Sequence, residues 1–122
     1  MKVLLSIKPI FAEQIFSGIK KYEFRRTIFK DQNVRTIVVY ASSPMKQVIG
    51  EFEIEEIICA KVSTLWRKTY RDSGLSKQEF CKYFMGKNTG YAIKIKKTRR
   101  YKRPLSLQRD FKLNPPQSFI YL

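Results

Sequence analysis

LLSIKPIFAEQIFSGIKKYEFRR, residues 4–26, holds two structural periods and the break between them. Val3, Leu5 and Ile7 alternate with Leu4, Ser6 and Lys8, the two-residue period of a strand. Phe11, Ile15 and Ile19, with Ala12 and Phe16 beside them, then follow helical spacing. Pro9 suits the first turn of that helix, where its missing N–H costs nothing. Gly18 can take the left-handed conformation that stops it. Residues 20–26 return to strand, placing Lys21, Glu23 and Arg25 on one face and Tyr22, Phe24 and Arg26 on the other. Gly18, Lys20, Glu23 and Arg25 thus form a G-x-K-x-x-E-x-R pattern at an element boundary.

The pattern carries definite expectations. Tyr22 and Phe24 enter the core and hold Glu23 and Arg25 on the opposite surface, while the Lys20 ammonium lies over a cleft. Flanking cations keep Glu23 ionised with a lowered pKa, so it is a poor base near neutrality. Arg25 then offers a planar fork to a phosphate or a base edge, and Glu23 accepts from an exocyclic amine. The bland reading is an exposed Glu23–Arg25 ion pair worth ~0–1 kcal/mol. On the cleft reading, Glu23→Ala and Arg25→Ala abolish ligand binding and leave the melting temperature nearly unchanged.

Further along, TIVVYA at 36–41 has the β-branched content of a buried strand, broken by SSP at 42–44. A long strand follows from Gln47 to Ile58, with Glu51, Glu53 and Glu55 on a solvated face and Phe52 and Ile54 opposite. Residues 63–72 read as a helix. A second helix starts at Ser76, which forms an S-x-x-E capping box with Glu79 and puts Phe80 and Phe84 on one face. GYAIKIKK at 90–97 is a strand, and LNPPQSFIYL ends in a short one. With few crossover helices, the sheet is expected to be antiparallel or mixed, bent toward a partly closed barrel.

One domain, 1–122, is expected from the length. No apolar run approaches the ~20 residues of a membrane span, and MKVLLSIKPIF lacks a cleavage site, so a cytoplasmic protein with no membrane association is expected. Cys59 and Cys81 match no metal spacing and are expected to be buried free thiols; no metal and no cofactor is called for. There is no histidine, so any chemistry must use Lys, Glu, Tyr, Ser or Thr. The net charge of +15 is uneven: residues 1–56 carry nine Lys/Arg against seven Asp/Glu, and residues 57–122 sixteen against three. That imbalance favours a polyanionic partner. KKTRRYKR, 96–103, interleaves Tyr101 with six cations, as single-stranded RNA binding asks: charge for phosphates and a face for a base. It is expected as a loop in which Lys96, Lys97, Arg99, Arg100, Tyr101, Lys102 and Arg103 contact the RNA backbone.

In order, LLSIKPIFAEQIFSG, the G-x-K-x-x-E-x-R signature, VVYASSP with Gly50, GLSKQEFCKYFMG and PPQSFIYL make the chain resemble the ASCH domain family of the PUA-like superfamily. The resemblance implies an α+β fold: a mixed or antiparallel pseudo-barrel with a short helix after the first strand and two helices in the second half. It also implies a cleft between the first helix and the sheet, expected here to be lined by Lys8, Lys20, Glu23, Arg25 and Ser42. The resemblance implies RNA binding, with a coregulator role among family members, and relatives include an RNA-degrading enzyme and one hydrolysing N-acetylated cytidine. The acetylcytidine hydrolases carry Lys-x-x-Thr; Lys20 matches the lysine, but Glu23 stands where the threonine would be, so that activity does not carry over. The leading reading is an RNA-binding domain, RNA favoured over DNA, with a nucleotide in the cleft and phosphates on the basic loop. The alternative is a ribonuclease or nucleoside hydrolase using Lys20 and Glu23. A regulator contacting DNA or a protein is a third, unsupported by any helix-turn-helix pattern. The oligomeric state is left open.

Overall fold

The structure, a computed structural model, describes residues 1–122. Strand β1 (Lys2–Ile7) leads into helix α1 (Pro9–Ser17), which Gly18 stops at φ +87°, its N–H donating to the Ile15 carbonyl. Then come β2 (Tyr22–Arg25), β3 (Thr36–Ala41), β4 (Gln47–Lys61), α2 (Val62–Thr69), a 3-10 turn (Tyr70–Asp72) and α3 (Lys77–Tyr83). The chain ends with β5 (Thr89–Leu105), α4 (Leu107–Phe111) and β6 (Phe119–Tyr121). The six strands form one sheet in the order β2-β5-β4-β3-β1-β6, in which only β1 and β3 run parallel. The sheet curls into a half-barrel, the mixed pseudo-barrel the sequence implied. No helix is long and apolar enough to cross a membrane.

Burial follows the two sheet faces. Val3, Leu5, Ile37, Val39, Phe52 and Ile93 line the concave face, which α1 closes with Ala12 and Ile15. On the convex face α2 and α3 cover Phe24 and Ala92 with Leu65, Phe80 and Phe84. Alpha-helix α4, with Leu107, covers Leu4, Val38, Tyr40 and Val48. Helix α1 can sit close only because residue 50 is glycine. A Cβ there would lie 2.6 Å from the Phe16 ring and 2.6 Å from the Arg99 carbonyl oxygen.

Four expectations need correction. The basic run 96–103 is not a loop: it continues β5, paired with β4 so that Lys97 lies opposite Glu53, Arg99 opposite Glu51 and Arg100 opposite Gly50. Acidic β4 neutralises part of the run and fixes it as strand. Second, Cys59 and Cys81 are exposed, because each lies on the outer side of an element whose alternate face is packed. Third, bulges between Glu53 and Glu56 break the expected alternation of the acidic strand, and Glu51 is engaged rather than solvated. Fourth, the second half holds a third helix, α4, capped where Ser106 Oγ accepts from the Arg109 N–H.

Gly50→Ala is expected to cost about 1–3 kcal/mol, the usual range for overpacking a filled site. Equilibrium urea unfolding of the variant measures this. A Phe16→Leu background should recover only part of the loss, because the backbone oxygen of Arg99 stays in place.

Candidate functional site

The concave sheet leaves a seam between its edge strands, β2 on one side and β6 with β1 on the other. Arg25, the last residue of β2, spans it. Its Nη1 donates to the Ser6 carbonyl (3.4 Å) and to Glu23 Oε2 (3.4 Å). Its Nη2 donates to the Ser118 carbonyl (3.3 Å) and to Ser118 Oγ (2.8 Å). The Ser118 carbonyl also accepts from the Ser6 N–H, so the guanidinium joins an existing link between strand ends.

Beside this clasp opens a cavity of about 600 Å³, within the ~300–1,000 Å³ of small-molecule sites. Lys8 comes to it from the residue that precedes α1 and Phe11 from α1 itself, Lys20, Glu23 and Arg25 from the signature, and Glu79, Lys82 and Tyr83 from α3. Four of the five residues expected to line a cleft therefore meet here. Ser42 is not among the lining residues; its N–H donates to the Ile7 carbonyl, and its own carbonyl accepts from Met45 and Lys46, closing the turn after β3.

The charged groups are more deeply held than the sequence suggested. Glu23 pairs across to Ile93, whose side chain is in the concave core, so Glu23 points inward beneath the cavity rather than onto an outer surface. It is 6% exposed, and Lys20 is 2% exposed. Lys20 Nζ donates to the Ser73 carbonyl at 2.7 Å and lies 5.1 Å from the Phe11 ring centroid and 4.7 Å from that of Phe24. Its backbone is fixed too: its N–H donates to the Gln14 carbonyl, and that of Lys21 to the Asp72 carbonyl.

Burial decides the pKa directions. Desolvation lowers that of Lys20, against the pull of Glu23 and Glu79. Desolvation raises that of Glu23, with Lys20 and Arg25 opposing. The expectation of a lowered Glu23 pKa is thus overturned: the cations are present, but loss of water outweighs them. Both groups move toward neutrality, which suits proton transfer better than a pair of fixed charges.

Helix α3 supplies the wall the sequence did not reveal. Phe24 meets Phe80 and Phe84 edge-on at 5.2 and 6.2 Å. Arg26 Nη1 donates to the Tyr83 and Met85 carbonyls, and Tyr83 OH donates to the Phe24 carbonyl at 3.0 Å. The capping box of Ser76 and Glu79 was legible and is formed. What α3 docks against was signalled only by its Phe80/Phe84 face, which demands an apolar partner without naming it.

The residues assigned to RNA backbone do not form one surface. Lys97, Arg99 and Tyr101 share the convex face with Glu51. Arg100 turns to the concave side, onto the Phe16 ring at 5.3 Å and into an ion pair with Glu13. Lys96 borders a second hollow of about 690 Å³, with Asp31, Glu55 and Glu56. Lys102 and Arg103 are exposed near the end of β5.

The ASCH domain profile matches residues 5–103. An ASCH domain-containing ribonuclease of Zymomonas mobilis subsp. mobilis is 35% identical over 125 residues, covering 99% of this chain and 84% of that protein. The crystal structure of ASCH from Zymomonas mobilis superposes with a TM-score of 0.90 at 34% identity, covering 99% of this chain and 87% of that one. The large ribosomal subunit protein uL22 of Ureaplasma parvum serovar 3 is 31% identical over 120 residues, and this chain spans 98% of itself but 39% of that protein.

Because Arg25 closes the seam, Arg25→Ala should lower the unfolding free energy by on the order of 3 kcal/mol, as breaking a buried charged network does. Urea unfolding read by tryptophan fluorescence measures it. That departs from the unchanged melting expected of a surface residue.

Proposed function

The chain belongs to the ASCH domain family, and from that premise we propose that it acts on RNA: the cavity takes one nucleotide of a single strand, and Lys20 and Glu23 cut the chain there. The observation that carries the reading is the pairing of a buried acid and a buried base-forming cation at one end of a nucleotide-sized hollow, with burial drawing both pKa values toward neutrality. Glu23 takes the proton of the attacking oxygen, and Lys20 gives a proton to the departing one. Arg25, fixed by Ser6 and Ser118, orients the Glu23 carboxylate and adds positive charge beside the phosphate. Lys8 and Lys82, exposed and without ion pairs, flank the opening and draw the strand in. A relative of nearly the same extent that is named a ribonuclease supports the choice of substrate.

A second reading, binding without cleavage, is favoured by one observation. Lys20 already donates to the Ser73 carbonyl, as a structural cation would. In that case RNA is retained by the cavity and released intact.

Incubation with single-stranded RNA, with products resolved on denaturing gels and by mass spectrometry, separates the two. Glu23→Gln keeps an acceptor for Arg25 and should stay folded by circular dichroism, yet lose about 10²–10⁴-fold in kcat/KM. Intact RNA with the wild-type protein, or equal cutting by the variant, would exclude the cleavage reading.

The pH profile gives an independent check. Glu23 must be ionised to accept a proton, and its pKa lies above the ordinary 4.5, so activity rises at a pH above that value. Lys20 must be protonated to donate, and its pKa lies below the ordinary 10.5, so activity falls before that value is reached. A bell is expected, and Glu23→Gln should have no rising limb in any residual rate.

A further inference from the structure

We infer that RNA is held at a second place, the convex-face cluster around Tyr101, too far from the cavity for the same nucleotide to touch both. The inference rests on the RNA reading above and extends it to the length of the strand engaged. Ile93 lies opposite Glu23, and Arg99 follows six residues along β5, about 20 Å at ~3.3 Å per residue. The faces differ as well: Glu23 shares the concave side with Ile93, whereas Arg99 shares the convex side with Glu51.

The cluster is built, not a spray of solvated side chains. Tyr101 OH donates to Glu51 Oε1 at 2.8 Å, which fixes the ring. The Arg99 guanidinium lies 5.2 Å over that ring and is 68% exposed, leaving a flat cationic surface toward solvent. Arg99 and Lys2 both reach the single Glu51 carboxylate, at 3.1 and 3.3 Å, so positive charge remains in excess. Lys97 adds another exposed cation two residues along the same face. Stacked guanidinium planes hold unpaired bases, and surrounding cations hold the phosphates between them. A strand of RNA bound here reaches the cavity only around the edge of the sheet, so a dinucleotide in the cavity should not feel the cluster.

The test compares wild type with the triple variant Glu51→Gln, Lys97→Gln, Arg99→Gln, in which removing Glu51's charge leaves no carboxylate orphaned. Fluorescence anisotropy is read on a uridine oligomer of about 20 nucleotides, longer than the ~4–16 that comparable single-strand sites cover, and on a dinucleotide. The inference expects the variant to bind the long oligomer at least tenfold more weakly, with a salt slope shallower by about 0.7 per lost phosphate contact. Dinucleotide binding and turnover should be unchanged. Equal weakening on both probes would mean the cluster rims the cavity; no weakening on the long one would mean it is not a contact; either overturns the inference. Loss on the long oligomer from a wild-type protein that neither binds nor cuts the dinucleotide would keep the second site and discard the reading of the cavity.

Discussion

Arg25 sits where a curled sheet runs out of partners. Strand β2 is an edge, β6 is the other edge, and the carbonyls of Ser6 and Ser118 at the strand ends face the gap between them. A guanidinium is suited to this position because its donors lie in one plane and spread far enough to reach two backbone oxygens and a carboxylate together. The residue that holds the half-barrel closed is therefore also the residue that aims Glu23. On the proposed reading, architecture and chemistry share one side chain, so its loss is expected to register in both folding and function.

The same economy governs the other charges. Lys20 is shielded by two aromatic rings and anchored on the Ser73 carbonyl, while the Ser73 hydroxyl donates to the Tyr70 carbonyl and accepts from the Leu75 N–H. Taking an ammonium and a carboxylate out of water would be costly for either alone. Placed in one pocket with Arg25 they compensate each other in part, and the remainder appears as pKa values drawn inward. On the convex face the arrangement is reversed. Glu51 is a single carboxylate among Lys2, Arg99 and Tyr101: desolvation pushes its pKa up, but hydrogen bonds from Tyr101 and Lys2 and the charges of Lys2 and Arg99 together hold it below the usual value. In a chain of net charge +15, the few acids are thus used to set cations in place.

How far the sequence announces this depends on the range of each interaction. Gly18 and the Ser76–Glu79 box act within a turn of helix, so both ends of α1 and the start of α3 could be read almost to the residue. The extent of β5 could not, because KKTRRYKR has weak local preference for strand and takes its structure from Glu51 and Glu53 on β4. The complementary signs of the two stretches were visible; their register was not. Glu23 shows the same limit in electrostatic form. Its charged neighbours are encoded two and three residues away, but its burial depends on the sheet register that sets it beside Ile93, some 70 residues on. Helix α4 was missed because five residues carry too little periodicity to distinguish a helix from a loop.

The position of the cavity follows from the topology. A fully closed barrel would pair β2 with β6 and fill the seam with backbone hydrogen bonds, leaving no entrance. Here β6 is three residues long and reached through Pro115 and Pro116, which lack N–H donors and keep the preceding segment out of the sheet. The seam stays without backbone pairing, α1 and α3 form its banks, and the Arg25 side chain bridges it. Lys8 and Lys82 are the exposed cations of the cavity lining, whereas Glu23 and Lys20 are its buried charges. The hollow exists because the sheet stops one strand pair short of closure.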